Sequence, residues 1–415
     1  MHVLYSCADP GIPFWGTKGA SIHVRSFTSA LAAAGHEVTV VMARIGRPAL
    51  TLPHRIRLIE VPSEQESFFQ SDPGAASDDV VLRSEARQFL QNRSMQDIIN
   101  DIVAHRSVDI ICERYSLFGI AGRESARWHN IPFVLEVNAP LVVEQREHRR
   151  LILEPLARET ERFLFATSEC VVAVSDPLSG YIKSIVPSAT TMTIPNGVDI
   201  GAFATASNGE EWRRRWGIGD RNTRLIGFVG SLKPWHGLDL LMNAFSELNA
   251  SGSPSKLVLI GDGPLRGALE SEAAARKLSE HVILTGALAH SDIPSASAAL
   301  DILVAPYPEM EHFYFSPLKV YEYMATGKPI VASRIGQISE ILEHDKTALL
   351  VPAGDVKALA SAIQRLLQDQ SLAARIGTNA QTVARNEHGW THRVTRWSML
   401  FDSLLITAAP EEVGT

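Results

Sequence analysis

The chain has 415 residues, 45% hydrophobic and 20% charged, a globular balance that excludes disorder and predicts two or three domains of ordinary size. Its formal net charge of −7 argues against broad nucleic-acid binding, so no nucleic-acid partner is expected. Three scattered cysteines, Cys7, Cys112 and Cys170, exclude a disulfide framework or a Cys-rich metal site and fit a reducing cytosol, and no run approaches transmembrane length.

His2–Ala8 reads as a first strand, followed by a Gly/Pro-rich loop to Gly19. Ile22, Val24, Phe27, Leu31 and Ala34 then recur at helical spacing, and Gly35 ends the helix. Further strands are expected at Glu37–Ala43, Ile56–Val61, Val108–Cys112, Phe133–Val137, Val171–Val174 and Met192–Ile194. The polar stretch Ser63–Ser77, with Pro73-Gly74, reads as a mobile loop. Strands alternating with helices predict a parallel sheet covered on both faces. Such sheets bind ligands beyond the carboxyl ends of their strands.

Several residues at that edge carry polar chemistry. Gly16-Thr-Lys-Gly19 opens the first long helix, where amides after Gly19 can hold an oxyanion and Phe14, Trp15 and Lys18 can line a sugar or phosphate pocket. A glycine-rich connection without a ligand fits the same residues. Arg114 and Tyr115 follow one strand and can meet an acceptor or brace the loop. Glu136 and Asn138 end another, where a carboxylate and an amide suit sugar hydroxyls or proton transfer. Anchoring of the loop by hydrogen bonds is the alternative. Glu144–Phe165 mixes arginines, glutamates and leucines. It reads as an amphipathic helix with ion pairs on its solvated face, and leaves a weak peripheral membrane contact open.

Pro195-Asn-Gly-Val-Asp199 is a turn, and a linker to about Gly219 with one short helix near Trp212 follows it. The alternation then restarts. Strands are expected at Leu225–Val229, Leu257–Ile260, Val282–Thr285, Ile302–Ala305, Ile330–Ala332 and Ala348–Val351. Helices are expected at Leu238–Asn249, Leu265–Lys277, Pro317–Thr326, Ile338–Glu343 and Val356–Gln368. In Gly230-Ser-Leu-Lys-Pro-Trp-His-Gly237, Ser231, Lys233 and His236 are suitable phosphate ligands. Gly261-Asp-Gly263-Pro264 is a weak match to a nicotinamide fingerprint, and a nucleobase pocket or a plain turn fits as well.

Phe315-Ser-Pro-Leu-Lys-Val-Tyr-Glu-Tyr-Met-Ala-Thr-Gly-Lys-Pro329 is the most informative stretch. Ser316 suits an N-cap, Pro317 the first helical position, and Gly327 a left-handed stop. Lys319 and Glu322 share a helix face, so a cation and helix-start amides can hold a diphosphate while a carboxylate one turn on accepts from a ribose diol. An ordinary solvated Lys–Glu pair is the alternative. A last helix, about Thr391–Leu405, carries Val394, Trp397, Leu400, Phe401 and Leu404 on an apolar face that packing on the first domain would cover.

In order and spacing, the Gly16–Gly19 loop, Gly35-His-Glu-Val, Pro195–Asp199, Gly261–Pro264, Phe315–Pro329 and Ala348–Asp355 resemble the retaining, nucleotide-sugar-dependent glycosyltransferases of family 4. The resemblance implies an α/β chain with the GT-B fold, two Rossmann-like doubly wound domains facing across a cleft. An acceptor-side domain would span 1–200 with helix 391–415 packed on it, and a donor domain 201–390. It implies that Glu322 holds the ribose and that Ser316, Pro317, Leu318 and Lys319 face the diphosphate and sugar, with Ser231, Lys233 and His236. Gly263 and Leu288 would lie near the base, and Gly19 near the donor phosphate or acceptor. Asn138 and Glu136 would stand near the reacting sugar, and Trp15, Lys18, Arg114 and Tyr115 on the acceptor side. The implied reaction moves a sugar to a hydroxyl of a glycan, lipid-linked sugar or small natural product. It needs no metal or cofactor and takes place in the cytoplasm or at the inner membrane face.

Two departures stand out. The family's first Glu of Glu-x7-Glu falls on Tyr314, eight residues before Glu322, and an Arg and a Lys of the family fall on Ser231 and His236. These leave two alternatives open: a nucleotide-sugar 2-epimerase on the same fold, and a catalytically silent nucleotide-sugar-binding subunit.

Overall fold

Apolar runs that do not alternate with polar residues mark strands covered on both faces, and the computed structural model places each such run in a parallel sheet. It describes residues 1–47, 51–62, 77–206, 208–220, 222–250, 252 and 254–408. The loop expected at 63–77 lies outside them except for Ser77, which opens a long helix, Ser77–His105.

The chain divides into two units. The first comprises Met1–Pro195, Tyr314–Ser316 and the chain from Trp390 onward. Its strands are β1 (His2–Cys7), β2 (Glu37–Met42), β3 (Ile56–Glu60), β4 (Ile110–Arg114), β5 (Phe133–Val137), β6 (Cys170–Ala173) and β7 (Thr191–Thr193). They pair in the order β3-β2-β1-β4-β5-β6-β7, all parallel. One face carries a core around Leu4, Ile111, Phe133, Leu135 and Leu164, and the other a core around Tyr5, Phe27, Val134 and Phe401. The last helix, Trp390–Ala408, lies against the second of these, with the Trp397 ring 4.8 Å from that of Phe27. The strand order reverses between β1 and β4, the place where such sheets hold ligands.

The second unit comprises Asn196–Phe313 and Pro317–Gly389. Its strands are β8 (Arg224–Val229), β9 (Ser255–Ile260), β10 (Val282–Gly286), β11 (Ile302–Ala305), β12 (Ile330–Arg334) and β13 (Leu349–Pro352), ordered β10-β9-β8-β11-β12-β13 and all parallel. A core of Ile226, Phe228, Phe245, Leu257 and Ile363 fills one side of it.

Some boundaries differ from the sequence reading. β4 begins two residues later than expected and runs through Arg114, so Arg114 is a strand residue directly opposite Glu136. The segment 144–165 is two helices, Leu141–His148 and Glu154–Thr167. Between them Arg149 is extended, and the buried Glu85 carboxylate accepts from the amides of Ile152 (3.0 Å) and Leu153 (2.6 Å). The linker holds two short helices, Ile200–Ala204 and Gly209–Arg215, and the side chain of Asp199 caps the first. Among the described residues no helix is long and apolar enough to cross a membrane.

Candidate active site

In the second unit, the loops after β8 and β11 flank the switch point of the sheet. Gly237 has φ +64, and a Cβ there would sit 1.7 Å from the Pro306 carbonyl oxygen, so only glycine lets the two loops meet. The helix after this site is Leu318–Thr326, ended by Gly327 at φ 72. It starts one residue later than expected. Pro317, not Ser316, stands at the cap position with an extended ψ, and no side chain caps the helix start. Ser316 is buried and belongs to the first unit.

Lys319 projects from the first turn of this helix. Its Nζ is shielded from solvent without a hydrogen-bond partner, 4.2 Å from the centroid of the Phe228 ring and 5.3 Å from that of Tyr307. Such contacts favour a cation but do not replace hydrogen bonds to the ammonium. Burial pushes the Lys319 amine down to about 7, opposed by the nearby Glu322 carboxylate. Burial likewise pushes Glu322 up to about 7, opposed by Lys319. Tyr323, on the same helix, takes the amide of Val229 on its hydroxyl at 2.7 Å and fixes the helix to β8.

The loop Gly230–Gly237 presents Ser231 exposed and Lys233 with its Nζ 4.9 Å from the Trp235 ring. His236 differs from the expectation of a phosphate donor. Its Nδ1 lies 2.6 Å from the Ser231 carbonyl oxygen, so the neutral ring carries its proton there and keeps a lone pair, not a donor, at Nε2. Burial, with Lys319 and Lys233 beside it, pushes this ring down to about 3, so it is neutral at pH 7. The glycines of Gly261-Asp-Gly263 serve close backbone packing. A Cβ on Gly261 would lie 2.0 Å from the Gly230 carbonyl oxygen, and one on Gly263 would lie 2.5 Å from that of Leu232. Leu288 lies just beyond β10, half-buried.

In the first unit, a buried network ends β1, β4 and β5. Glu136 Oε1 lies 2.5 Å from His23 Nε2, and Oε2 accepts from the Tyr5 hydroxyl at 2.6 Å with Arg114 NH1 at 3.8 Å. Burial alone would raise the Glu136 carboxyl, but His23, Arg114 and Tyr5 together hold it at about 2. Both its oxygens are engaged, so the expected proton transfer at Glu136 gives way to an anchoring role. Arg114 also donates to Asn138 Oδ1, which leaves the Asn138 Nδ2 amide shielded and without a partner. Tyr115 is no acceptor contact. Its hydroxyl donates to Glu161 at 2.9 Å, and its ring packs in the core on Phe165. Trp15 is half-buried, and Lys18 and Gly19 are exposed at the start of the helix Gly19–Ala33.

Tyr314 departs furthest from expectation. Its hydroxyl donates to Glu144 and its carbonyl accepts from Ser175 Oγ at 2.7 Å, so its side chain is committed within the first unit. Tyr314→Phe is therefore expected to lower stability by about 1–2 kcal/mol, the worth of a hydrogen bond to a charged acceptor, while nucleotide affinity stays at the wild-type value. Thermal melts and a nucleotide titration check this. A tenfold loss of affinity would return Tyr314 to the donor site.

The sequence reading missed His23. Its signal was a polar residue four positions before Phe27 on the buried stripe of a helix, which needs a buried partner. Among the described residues, no group of three His, Cys, Asp or Glu side chains is arranged to hold a metal ion.

Comparison with known proteins gives the same picture from a separate direction. The family model described as Glycosyltransferase Family 4 matches residues 17–201, and that described as Glycosyl transferases group 1 matches residues 223–369. An alpha-D-kanosaminyltransferase of Streptomyces kanamyceticus is 24% identical over 81% of this chain and 85% of its own length. A GDP-mannose-dependent alpha-(1-6)-phosphatidylinositol monomannoside mannosyltransferase of Mycolicibacterium smegmatis is 29% identical over 59% of this chain and 65% of its own. The solved structure of a sucrose-phosphate synthase from Thermosynechococcus elongatus superposes with a TM-score of 0.76 at 21% identity, covering 98% of this chain and 100% of that one, and shares the fold. With two parallel α/β units of GT-B type and a family match on each, the chain belongs to the family 4, group 1 glycosyltransferases.

Proposed function

We propose that this glycosyltransferase moves a sugar from a nucleoside-diphosphate sugar to a hydroxyl acceptor, with retention and without a metal ion. The observation that supports this most is the Lys319 ammonium, shielded, unpartnered and next to a helix start that no side chain caps. A cation in that state costs stability, and an anion placed there removes the cost. A donor diphosphate has the charge and the acceptor oxygens for Lys319, Lys233 and the first amides of the helix. Glu322, one turn on, can then take both hydroxyls of the ribose.

In the reaction, the bond from the sugar's anomeric carbon to the phosphate oxygen breaks and the diphosphate leaves with the electron pair. The charge developing on it is stabilised by Lys319, Lys233 and the helix amides, which lowers the barrier to an oxocarbenium-like state. The acceptor hydroxyl attacks from the face the phosphate leaves, and its proton passes to the departing phosphate oxygen. The names of the relatives, one of them a GDP-mannose-dependent enzyme, support a nucleotide-linked donor.

A thermal-shift screen against UDP, GDP, dTDP and ADP and their sugars, with and without EDTA, tests this reading. A ligand that binds only the folded form raises the melting temperature. One nucleotide is expected to do so, unaffected by EDTA. In the same assay Glu322→Ala should weaken nucleotide binding about tenfold, or 1.4 kcal/mol. Unchanged affinity would remove the ribose assignment, and the absence of any shift would remove the donor reading.

A further inference from the structure

Glu113 lies on β4, beside the point where the strand order of the first unit reverses, with Ser6 directly opposite it on β1 and Leu135 on β5. It shares a sheet face with Ile111, two residues before it, so it points into the core of Leu4, Leu135 and Ala126 and is 0% exposed. Its Oε2 accepts from Ser6 Oγ at 3.0 Å and from the Gly122 amide at 2.8 Å. Gly122 is in the first turn of the helix Ala121–His129, whose cap residue, Ile120, has no side chain to close it. The Glu113 carboxyl therefore ties the start of this helix to the sheet. The fit is close, since a Cβ on Gly122 would lie 2.4 Å from Glu113 Oε2 and 3.0 Å from Ser6 Oγ.

The other oxygen, Oε1, is shielded from solvent and has no hydrogen-bond partner. An ionised carboxylate offers about four acceptor sites, and two of them are filled here. Among the described residues no cation pairs with Glu113. Arg114, next on β4, belongs with Glu136 on the opposite face. On the helix above, Arg123 turns to Glu169 at 3.8 Å, His129 meets Asn100 at 3.2 Å, Glu124 is half-buried and Arg127 is exposed. On the helix Ser77–His105, which packs beside it, Glu85 takes the amides of Ile152 and Leu153, and Arg93, Asp97 and Asp101 are exposed. A buried charge with neither a counter-ion nor full hydrogen bonding is costly, and a carboxyl escapes the cost by keeping its proton. Burial pushes the Glu113 carboxyl up to about 7, against the pull of the Gly122 amide and the Ser6 hydroxyl.

We propose that Glu113 is a pH-operated latch: as a neutral acid it clamps the helix Ala121–His129 to the sheet, and on ionising it becomes a buried, half-satisfied anion that loosens the helix start. The proton released goes to solvent, and no ligand is needed. The segment the latch holds, 115–120, follows directly on Arg114, so the latch sets how firmly the carboxyl edge of β4 is fixed. Between pH 4.5 and 7 the folded chain keeps a proton that the unfolded chain has released. The stability this group lends is full below 4.5, falls as pH rises through that window and is lost above 7. The latch lies within the first unit and does not depend on the donor reading.

The test compares the full wild-type chain with Glu113→Gln between pH 5 and 8. Difference infrared spectra should show the carbonyl stretch of a protonated carboxyl in the wild type at pH 6, much weaker at pH 8, and missing from Glu113→Gln at both. The difference in melting temperature between the two proteins should move by several degrees in favour of Glu113→Gln from pH 5 to pH 8, because an amide does not titrate. Hydrogen exchange at the Gly122 amide, corrected for its intrinsic rate, should be about tenfold faster in the wild type at pH 8, one pH unit beyond the carboxyl's value, than at pH 6. In Glu113→Gln it should be equal at the two. Ser6→Ala gives a second reading should Glu113→Gln not fold. It removes a donor to the charged form, so the midpoint of the exchange change should move to higher pH. The lack of a Glu113 band at pH 6, the same pH dependence of melting in both proteins, or a midpoint that Ser6→Ala leaves in place overturns the proposal.

Discussion

Lys319→Met should slow sugar transfer about 100-fold or more and at the same time raise the melting temperature of the ligand-free protein. Both effects follow from the ammonium, which is shielded, unpartnered and held between Phe228 and Tyr307. In the free protein this charge is a burden, and methionine fills a similar volume without it, for a gain of about 1–3 kcal/mol. On the proposed donor reading, the same charge faces the departing diphosphate in the transition state, where removing one preorganised electrostatic partner costs most.

The pH dependence has a definite sign. Burial lowers the folded amine from its ordinary 10.5 to about 7. Below pH 7 both folded and unfolded chains carry the proton, and the cost of the buried charge is full. Between 7 and 10.5 the unfolded chain binds more protons than the folded one, so stability from this group rises with pH. The gain from Lys319→Met is therefore largest at pH 7 and below, and shrinks above it. Affinity for the nucleotide runs the other way in the wild type, weakening as pH rises past 7 and the amine loses its charge. Glu322 shares in this, since a protonated Lys319 lowers its carboxyl and prepares it to accept from the ribose. Steady-state rates, melts and nucleotide titrations over pH 6–9 read all three effects. Wild-type turnover would place the diphosphate elsewhere, and a lowered melting temperature would mean that the nitrogen is not a buried burden.

The strands were legible because their apolar runs are local and uninterrupted, and each expected strand has a counterpart within two residues. The places where the reading slipped depend on partners far away in sequence. β4 extends to Arg114 because Glu136 stands opposite it on β5, and the strand's own residues do not announce that. The helix through 149–153 breaks because Glu85, on another helix, takes two of its amides. Nothing in Glu144–Phe165 encodes Glu85.

The sites show the same division. That Lys319 and Glu322 share one helix was legible, because a three-residue spacing is local. The neutral state of His236, the pairing of Tyr314 with Glu144 and the burial of Tyr115 under Glu161 are tertiary facts. The glycine pair Gly261 and Gly263 shows how a motif misleads. Their lack of side chains serves the carbonyls of Gly230 and Leu232, a need that a nucleotide would also create.

Glu136→Ala is expected to destabilise the protein by about 3–5 kcal/mol, the usual cost of removing one partner from a buried charge network. Glu136 is 2% exposed and Arg114 8%, so the guanidinium left behind stays out of water with the Asn138 carbonyl and the Tyr5 hydroxyl, both neutral, to hold it. Tyr5 and His23 lose their acceptor in the same change. Glu136→Gln separates charge from shape, since it keeps an acceptor for Tyr5 and removes only the negative charge. Acid provides an independent reading. The folded carboxyl stands at about 2 against an ordinary 4.5, so its contribution is present above 4.5 and is lost as pH falls towards 2. Wild type should lose melting temperature over that window more steeply than Glu136→Gln, whose amide does not titrate. The coupling to Arg114 is read by a double-mutant cycle. Once Arg114→Met has removed the stranded cation, Glu136→Gln should cost much less than it does alone. Strict additivity of the two changes would show that Arg114 draws its support from elsewhere. In that case the chain from His23 through Glu136 and Arg114 to the Asn138 amide would not act as one unit.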